Sequence, residues 1–140
     1  MGGKTLEGIH LPGHTPGSIG LLYREERALY GGDAGNEFLW LFLPEATKLS
    51  VYRDTLEKVK ALDFDWMILS HTHEILPKSR LEHYIDLVDH LDFEAGTPVP
   101  CPVPILTVDG CRICVRHGMT LQDRGKEDFA AILISPDKLD

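Results

Sequence analysis

Two imidazoles and a carboxylate stand where the chain turns sharply after apolar runs. His14 lies in Leu11-Pro12-Gly13-His14-Thr15-Pro16-Gly17-Ser18, Asp33 in Tyr30-Gly31-Gly32-Asp33-Ala34-Gly35, and His71 in Leu69-Ser70-His71-Thr72-His73. Imidazole nitrogen and carboxylate oxygen are donors that zinc and non-haem iron prefer. The surrounding glycines and prolines let the backbone turn tightly and leave room beside an ion. The chemistry on offer is metal binding.

The apolar pattern supplies elements that position these groups. Lys4 to Leu11 reads as a strand ending at Pro12-Gly13, and Ser18–Tyr23 with Ala28–Tyr30 as a hairpin around the charged turn Arg24–Arg27. Leu49, Tyr52, Leu56, Val59 and Leu62 recur at helical steps, which predicts a helix over 48–62. Trp66-Met67-Ile68-Leu69 reads as a short buried parallel strand that delivers His71 to its carboxyl end. Carboxyl ends of strands are where layered α/β folds gather ligands. Ser79-Arg80-Leu81-Glu82 has the form of a capping box opening a second helix, with Gly96 as its stop. His83 and His90 fall on its polar side and read as solvated. The run Phe38–Leu43 reads as core, with a pocket wall or interface patch as the alternative.

Thr97–Pro104 reads as a polyproline-like spacer, followed by a hairpin of 105–108 and 111–116 around Asp109-Gly110, and by a last strand Phe129–Ile134. This divides the chain into a motif-bearing core (5–95), a Pro-rich spacer (97–104) and a C-terminal hairpin and strand (105–135). Cys111-Arg112-Ile113-Cys114, with His117 after it, has the spacing of a zinc or redox pair. On a strand, however, residues three apart face opposite ways, and no second CxxC completes four ligands. The expectation is isolated structural cysteines.

The segment Pro12-Gly13-His14-Thr15-Pro16-Gly17-Ser18, then Gly32-Asp33, then His71 resembles the metallo-β-lactamase fold superfamily of binuclear metal hydrolases. Asp33 follows His14 by 19 residues and His71 follows Asp33 by 38, an order and spacing that agree with that family. The resemblance implies a four-layer αββα sandwich of two related halves. This chain, an α/β unit with a mixed sheet and two main helices, looks like the second half. It also implies zinc, with iron or manganese as alternatives. His14 would be a ligand of the first metal, Asp33 the catalytic carboxylate bridging both ions, and His71 a ligand of the second. His73 matches no necessary family ligand and reads as a surface histidine, with orienting a group beside the metal as the alternative; His10 shares a strand face with His14 but is not expected to bind metal. A metal-bound hydroxide would then attack an ester, thioester, amide or phosphoester.

One departure shapes the expectation. Family members carry a His-x-His-x-Asp-His motif upstream, and this chain has none; His71-Thr72-His73 continues instead as Glu74-Ile75-Leu76. That motif would supply four ligands, so the chain alone is expected to bind metal poorly and turn over little. The first motif also arrives within fifteen residues of Met1, with nothing before it to pack against. The partner expected over this edge is a missing N-terminal half or, in a homodimer, a second copy. A non-catalytic truncated domain that dimerises through the uncovered face is the competing reading.

Composition narrows the remaining classes. The 140 residues carry a net charge of −8 without a basic cluster, which argues against a nucleic-acid partner. No apolar run approaches the roughly 18 residues of a membrane span, and the N-terminus lacks the apolar stretch of a signal peptide. Three cysteines make no disulfide framework, so a reduced, cytoplasmic protein is expected. The substrate, a small molecule in the parent family, is not legible.

Overall fold

The structure is a computed structural model that describes residues 5–14, 17–32, 38–69, 75–103, 106 and 108–139. Two sheets and two helices share one main core. In the first sheet, β1 (Leu6–His10), β2 (Ile19–Tyr23) and β3 (Ala28–Gly32) form an antiparallel meander. After a crossover, β5 (Trp66–Leu69) joins β3 in parallel, and β6 (Ile75–Pro77) closes the order β1-β2-β3-β5-β6. β1, β3 and β5 therefore run the same way, and their carboxyl ends share one edge.

The opposite edge is held by Arg27. It adopts φ +51° at the end of the charged turn, where its N–H donates to the Arg24 carbonyl at 3.1 Å. Its own carbonyl accepts from the N–H groups of Asp65 (2.8 Å) and Trp66 (3.2 Å). Its guanidinium donates to Asp63 and Asp65, each at 2.7 Å. These bonds fix where β5 enters the sheet beside β3. At the far end, Gly32 and Leu69 become register partners across a local irregularity after Tyr30.

The crossover contains β4 (Phe38–Leu41) and helix α1 (Leu49–Lys60). α1 buries Tyr52, Thr55, Leu56 and Val59, as its helical spacing predicts. Helix α2 (Arg80–Asp89) packs against α1 and buries Leu81, Tyr84, Ile85 and Leu87. The capping box expected at its start does not form. Ser79 already has helical φ −55°, ψ −21°, because the chain enters through a turn at Lys78, and its side chain caps nothing. An N-cap hydroxyl needs an extended backbone to reach back over the first turn. The helix also stops at Asp89, well before Gly96. Asp92 starts a separate 3-10 turn over Phe93–Ala95 by accepting from the Ala95 N–H.

β4 belongs to a second sheet that the sequence reading did not separate from the first. Its order is β4-β9-β8-β7, with β9 (Ala131–Ile134) parallel to β4 and antiparallel to β8 (Arg112–Val115). The expected hairpin of 105–108 with 111–116 is not the pairing found. β8 is flanked by β9 and by β7 (Thr97–Pro98), and Leu106 and Val108 lie in no strand. The spacer thus contributes its first two residues to a sheet edge, where proline's missing N–H is tolerated. Gly110 still makes a turn with φ +76°.

The inner face of the first sheet, both helices and one face of the second sheet form one apolar cluster. Leu22, Leu29, Met67, Tyr52, Leu56, Tyr84, Leu39, Leu41, Ile132 and Ile134 belong to it. Leu39, Leu41 and Phe42 are buried, so the run Phe38–Leu43 is largely core, while Trp40 remains 38% exposed. A smaller cluster of Phe42, Cys111 and Leu133 lies on the other side of β9, under Val99, Cys101 and Val103.

No described element covers the outer face of the first sheet. Leu6, Ile19, Leu21, Tyr30, Trp66 and Ile75 alternate with the core residues and are between 41% and 65% exposed. β5 is therefore buried on one face only, a correction to its reading as a fully buried strand. Among the described residues, no helix is long and apolar enough to cross a membrane.

Candidate functional site

His14 follows β1 by four residues, in a loop whose backbone is tied down at almost every step. The His10 carbonyl accepts from Lys58 Nζ at 2.7 Å, and the Leu11 N–H donates to the Ser18 carbonyl at 2.7 Å. The Thr55 hydroxyl of α1 donates to the Pro12 carbonyl at 2.6 Å, and the Thr47 N–H to that of Gly13 at 2.9 Å. Gly13 sits so close to the buried Tyr52 ring that a Cβ there would lie 2.9 Å from Cδ1. The glycine is thus required by close approach to α1.

The half-buried His14 ring reaches the second sheet, with Nδ1 3.0 Å from the Trp40 carbonyl oxygen of edge strand β4. A carbonyl can only accept, so the proton of this bond sits on Nδ1. With that proton on Nδ1, Nε2 is the nitrogen left to face a ligand. This is the arrangement in which metal-binding histidines are usually held, one nitrogen bonded to a protein acceptor and the other left for the ion.

Asp33, His71 and His73 lie outside the described residues. The strands that lead to them are described, however, and β3 ends at Gly32 opposite Leu69, the last residue of β5. Asp33 is one residue and His71 two residues beyond that register pair. The three sequence-derived ligands therefore follow three strands that end at a common edge. His10 is exposed and points its carbonyl, through the bond to Lys58, into the α1 contact.

A second group of donors was not legible as such in the sequence. Asp86 in α2, His90 at the end of α2, and His117 in the turn after β8 bring one ligand atom each within 4.8 Å of one another. His90 Nδ1 is 3.1 Å from Asp86 Oδ1 and 3.1 Å from the Asp86 carbonyl oxygen, and His117 Nε2 is 3.0 Å from Oδ1 and 2.9 Å from Oδ2. The two rings lie 4.4 Å apart between centroids, tilted by 36°. Arg116 donates from Nε to Asp86 Oδ2 at 2.6 Å. The hydrogen bond from Arg116, and then that from His117, hold the Asp86 carboxyl below the usual carboxylate range. One signal was available: Asp86 and His90 are four apart on one helical face. The arrival of His117 depends on the pairing of β8 with β9, which the sequence pattern misassigned.

The cysteines behave as expected from strand alternation. Cys111 lies in the smaller apolar cluster and Cys114 in the main one, on opposite faces of the second sheet, and all three cysteines are free thiols. Burial pushes the Cys114 thiol up to about 11 and raises that of Cys111 as well. Neither environment favours a thiolate ligand or nucleophile.

Similarity to known proteins agrees with the sheet geometry. Among solved structures, the fold is similar to a metallo-beta-lactamase from Pontibacter korlensis, with a TM-score of 0.55 and 20% identity over 64% of this chain. It is also similar to an archaeal metallo-beta-lactamase superfamily protein from Sulfolobus tokodaii, with a TM-score of 0.52 and 16% identity over 72% of this chain. The chain spans 44% and 39% of the lengths of those two proteins, so it corresponds to part of their fold. No curated protein matches the sequence. The model of the metallo-beta-lactamase superfamily matches residues 1–71, just over half of the 140, and the chain belongs to that superfamily.

Proposed function

We propose that this chain is the His14-Asp33-His71 part of a metal-dependent hydrolase acting on an ester, thioester or related bond of a small molecule, with zinc as the metal. The observation that carries the reading is the His14–Trp40 hydrogen bond at the edge where β1, β3 and β5 end. It leaves Nε2 ready to donate, while Asp33 and His71 follow a register pair on the two neighbouring parallel strands. These donor types suit zinc, and iron or manganese next. When bound, the metal supplies Lewis acidity toward water and a positive charge facing an oxyanion.

The chain's own residues have a narrower task. Thr55, Thr47 and Tyr52 fix the His14 loop, and Trp40 orients the ring. Asp33 is the carboxylate that would be shared between ions, and so the catalytic one. Three ligands divided between two ions leave neither well held, so the reading requires further ligands from another polypeptide segment. Turnover by the chain alone is negligible in this reading.

The test is a zinc titration of the chain and of His14→Ala, Asp33→Asn and His71→Ala, with chromogenic esters and thioesters as substrates. The expected result is a weak binding event that each of the three substitutions removes, whatever zinc other donors on the chain hold, without measurable hydrolysis. Titrations unchanged by every one of the three would contradict it.

A second reading is a non-catalytic domain that pairs with a copy of itself. The open apolar face of Leu6, Ile19, Leu21, Tyr30, Trp66 and Ile75 favours it, because a patch of this kind usually marks an interface. The same face would equally receive an N-terminal half bearing the missing ligands.

A further inference from the structure

We propose that Asp86, His90 and His117 form a separate zinc site that fastens the end of α2 to the turn after β8. The site shares no residue with the His14-Asp33-His71 set and does not depend on that reading. Its donor set, two imidazoles and one carboxylate, is of the kind that selects zinc over magnesium or calcium.

The geometry is close to what an ion needs. A tetrahedral zinc with bonds of about 2.0–2.1 Å places its ligand atoms about 3.3 Å apart. His90 Nδ1 stands 3.1 Å from both Asp86 Oδ1 and the Asp86 carbonyl oxygen, and His117 Nε2 stands 3.0 Å from Oδ1 and 2.9 Å from Oδ2, so an ion would replace the protons that bridge these atoms and Nδ1 would give up its carbonyl contact. The backbone also supports the cluster. Asp86 and His90 are one helical turn apart, and the Arg116 N–H is bonded to the Ala130 carbonyl at 2.9 Å, which anchors the residue before His117. The turn continues through Gly118 at φ +79°, a conformation that favours glycine.

The charges around the site are mixed. Arg116 occupies Asp86 Oδ2 and also bonds the Asp128 carbonyl, so its charge is partly answered elsewhere. Asp89, the nearest other carboxylate on α2, is engaged by Arg53 at 2.6 Å. His83, one turn earlier, is partly buried beside Arg116, and burial first and Arg116 second lower its affinity for a proton. The His90 and His117 side chains are 58% and 54% exposed, which gives an ion open access and leaves a coordination position for water.

Zinc alone is the probe, titrated into His14→Ala protein so that the other site cannot contribute. The expected result is one ion per chain, with affinity falling by at least about tenfold on adding His117→Ala or His90→Ala. Zinc should also raise the thermal midpoint of the His14→Ala chain and fail to do so in either double variant. Both positions are exposed, and circular dichroism checks that the variants remain folded. Zinc binding unaffected by both second substitutions, or no binding at micromolar zinc, would overturn the proposal.

Discussion

Thr55 is 3% exposed, and its hydroxyl serves two carbonyls, that of Pro12 at 2.6 Å and that of Val51 one turn back at 3.2 Å. Thr55→Val keeps the shape but leaves the Pro12 carbonyl without this donor, at an expected cost of about 1–3 kcal/mol in urea unfolding. A loss below about 0.3 kcal/mol would mean that the His14 loop does not rely on α1. The buried thiols give a second prediction. An unfolded thiol ionises near pH 8.5, whereas folded Cys114 resists until about 11. Its neutral form therefore stabilises the fold below about pH 8.5, and this contribution drains away as pH rises toward 11. Denaturation midpoints should fall between pH 8 and pH 10, and a disulfide reagent at pH 8 should label half-buried Cys101 well before Cys111 and Cys114. At this scale the sequence singles out the turn around His14, because few generic turns look like Pro-Gly-His-Thr-Pro-Gly. Its partner was hidden, since the Trp40 carbonyl is 26 residues away and reaches His14 only through tertiary packing.

Elements were legible where one face is apolar at a regular period. α1, the β2–β3 hairpin and β5 lie within a residue or two of their expected bounds. The failures came where a local signal competed with a distant partner. Asp109-Gly110 looks like a hairpin turn, yet β8 gains more by pairing with β9, whose Ala131, Ile132, Leu133 and Ile134 are all buried. Ser79 looks like a cap, yet the turn at Lys78 has already committed it to helical dihedrals. Ser79→Ala should therefore change stability by less than about 0.5 kcal/mol, against about 1 kcal/mol for a working N-cap. A loss above 1 kcal/mol would restore the capping box. Leu41→Ala, in a fully buried position of β4, should cost about 2–5 kcal/mol.

For the whole molecule, the consequence lies on the first sheet. Its inner face is closed by the helices and its outer face is open, while the chain spans less than half of the similar structures. Membership of the superfamily was legible in the order and spacing of the motifs around His14, Asp33 and His71. The existence of a second, four-stranded sheet was not, because β4 and β9 are parallel partners some ninety residues apart in sequence. If the open face pairs with a second copy, sedimentation will show a dimer, and Leu21→Lys, which puts a charge at the centre of the patch, will return it to a monomer. A wild-type chain that stays monomeric at high concentration would contradict self-pairing and favour a different covering segment.

The central claim is that the common edge of β1, β3 and β5 holds a metal, with His14 presented through Nε2. The most direct measurement is the imidazole nitrogen spectrum of 15N-labelled protein, recorded first without metal and then with zinc. The account predicts a proton on Nδ1 of His14 and a bare Nε2, followed by zinc-induced shifts of His14 and His71 together. A proton on Nε2, or His14 and His71 signals that stay still while those of His90 and His117 move, would contradict it.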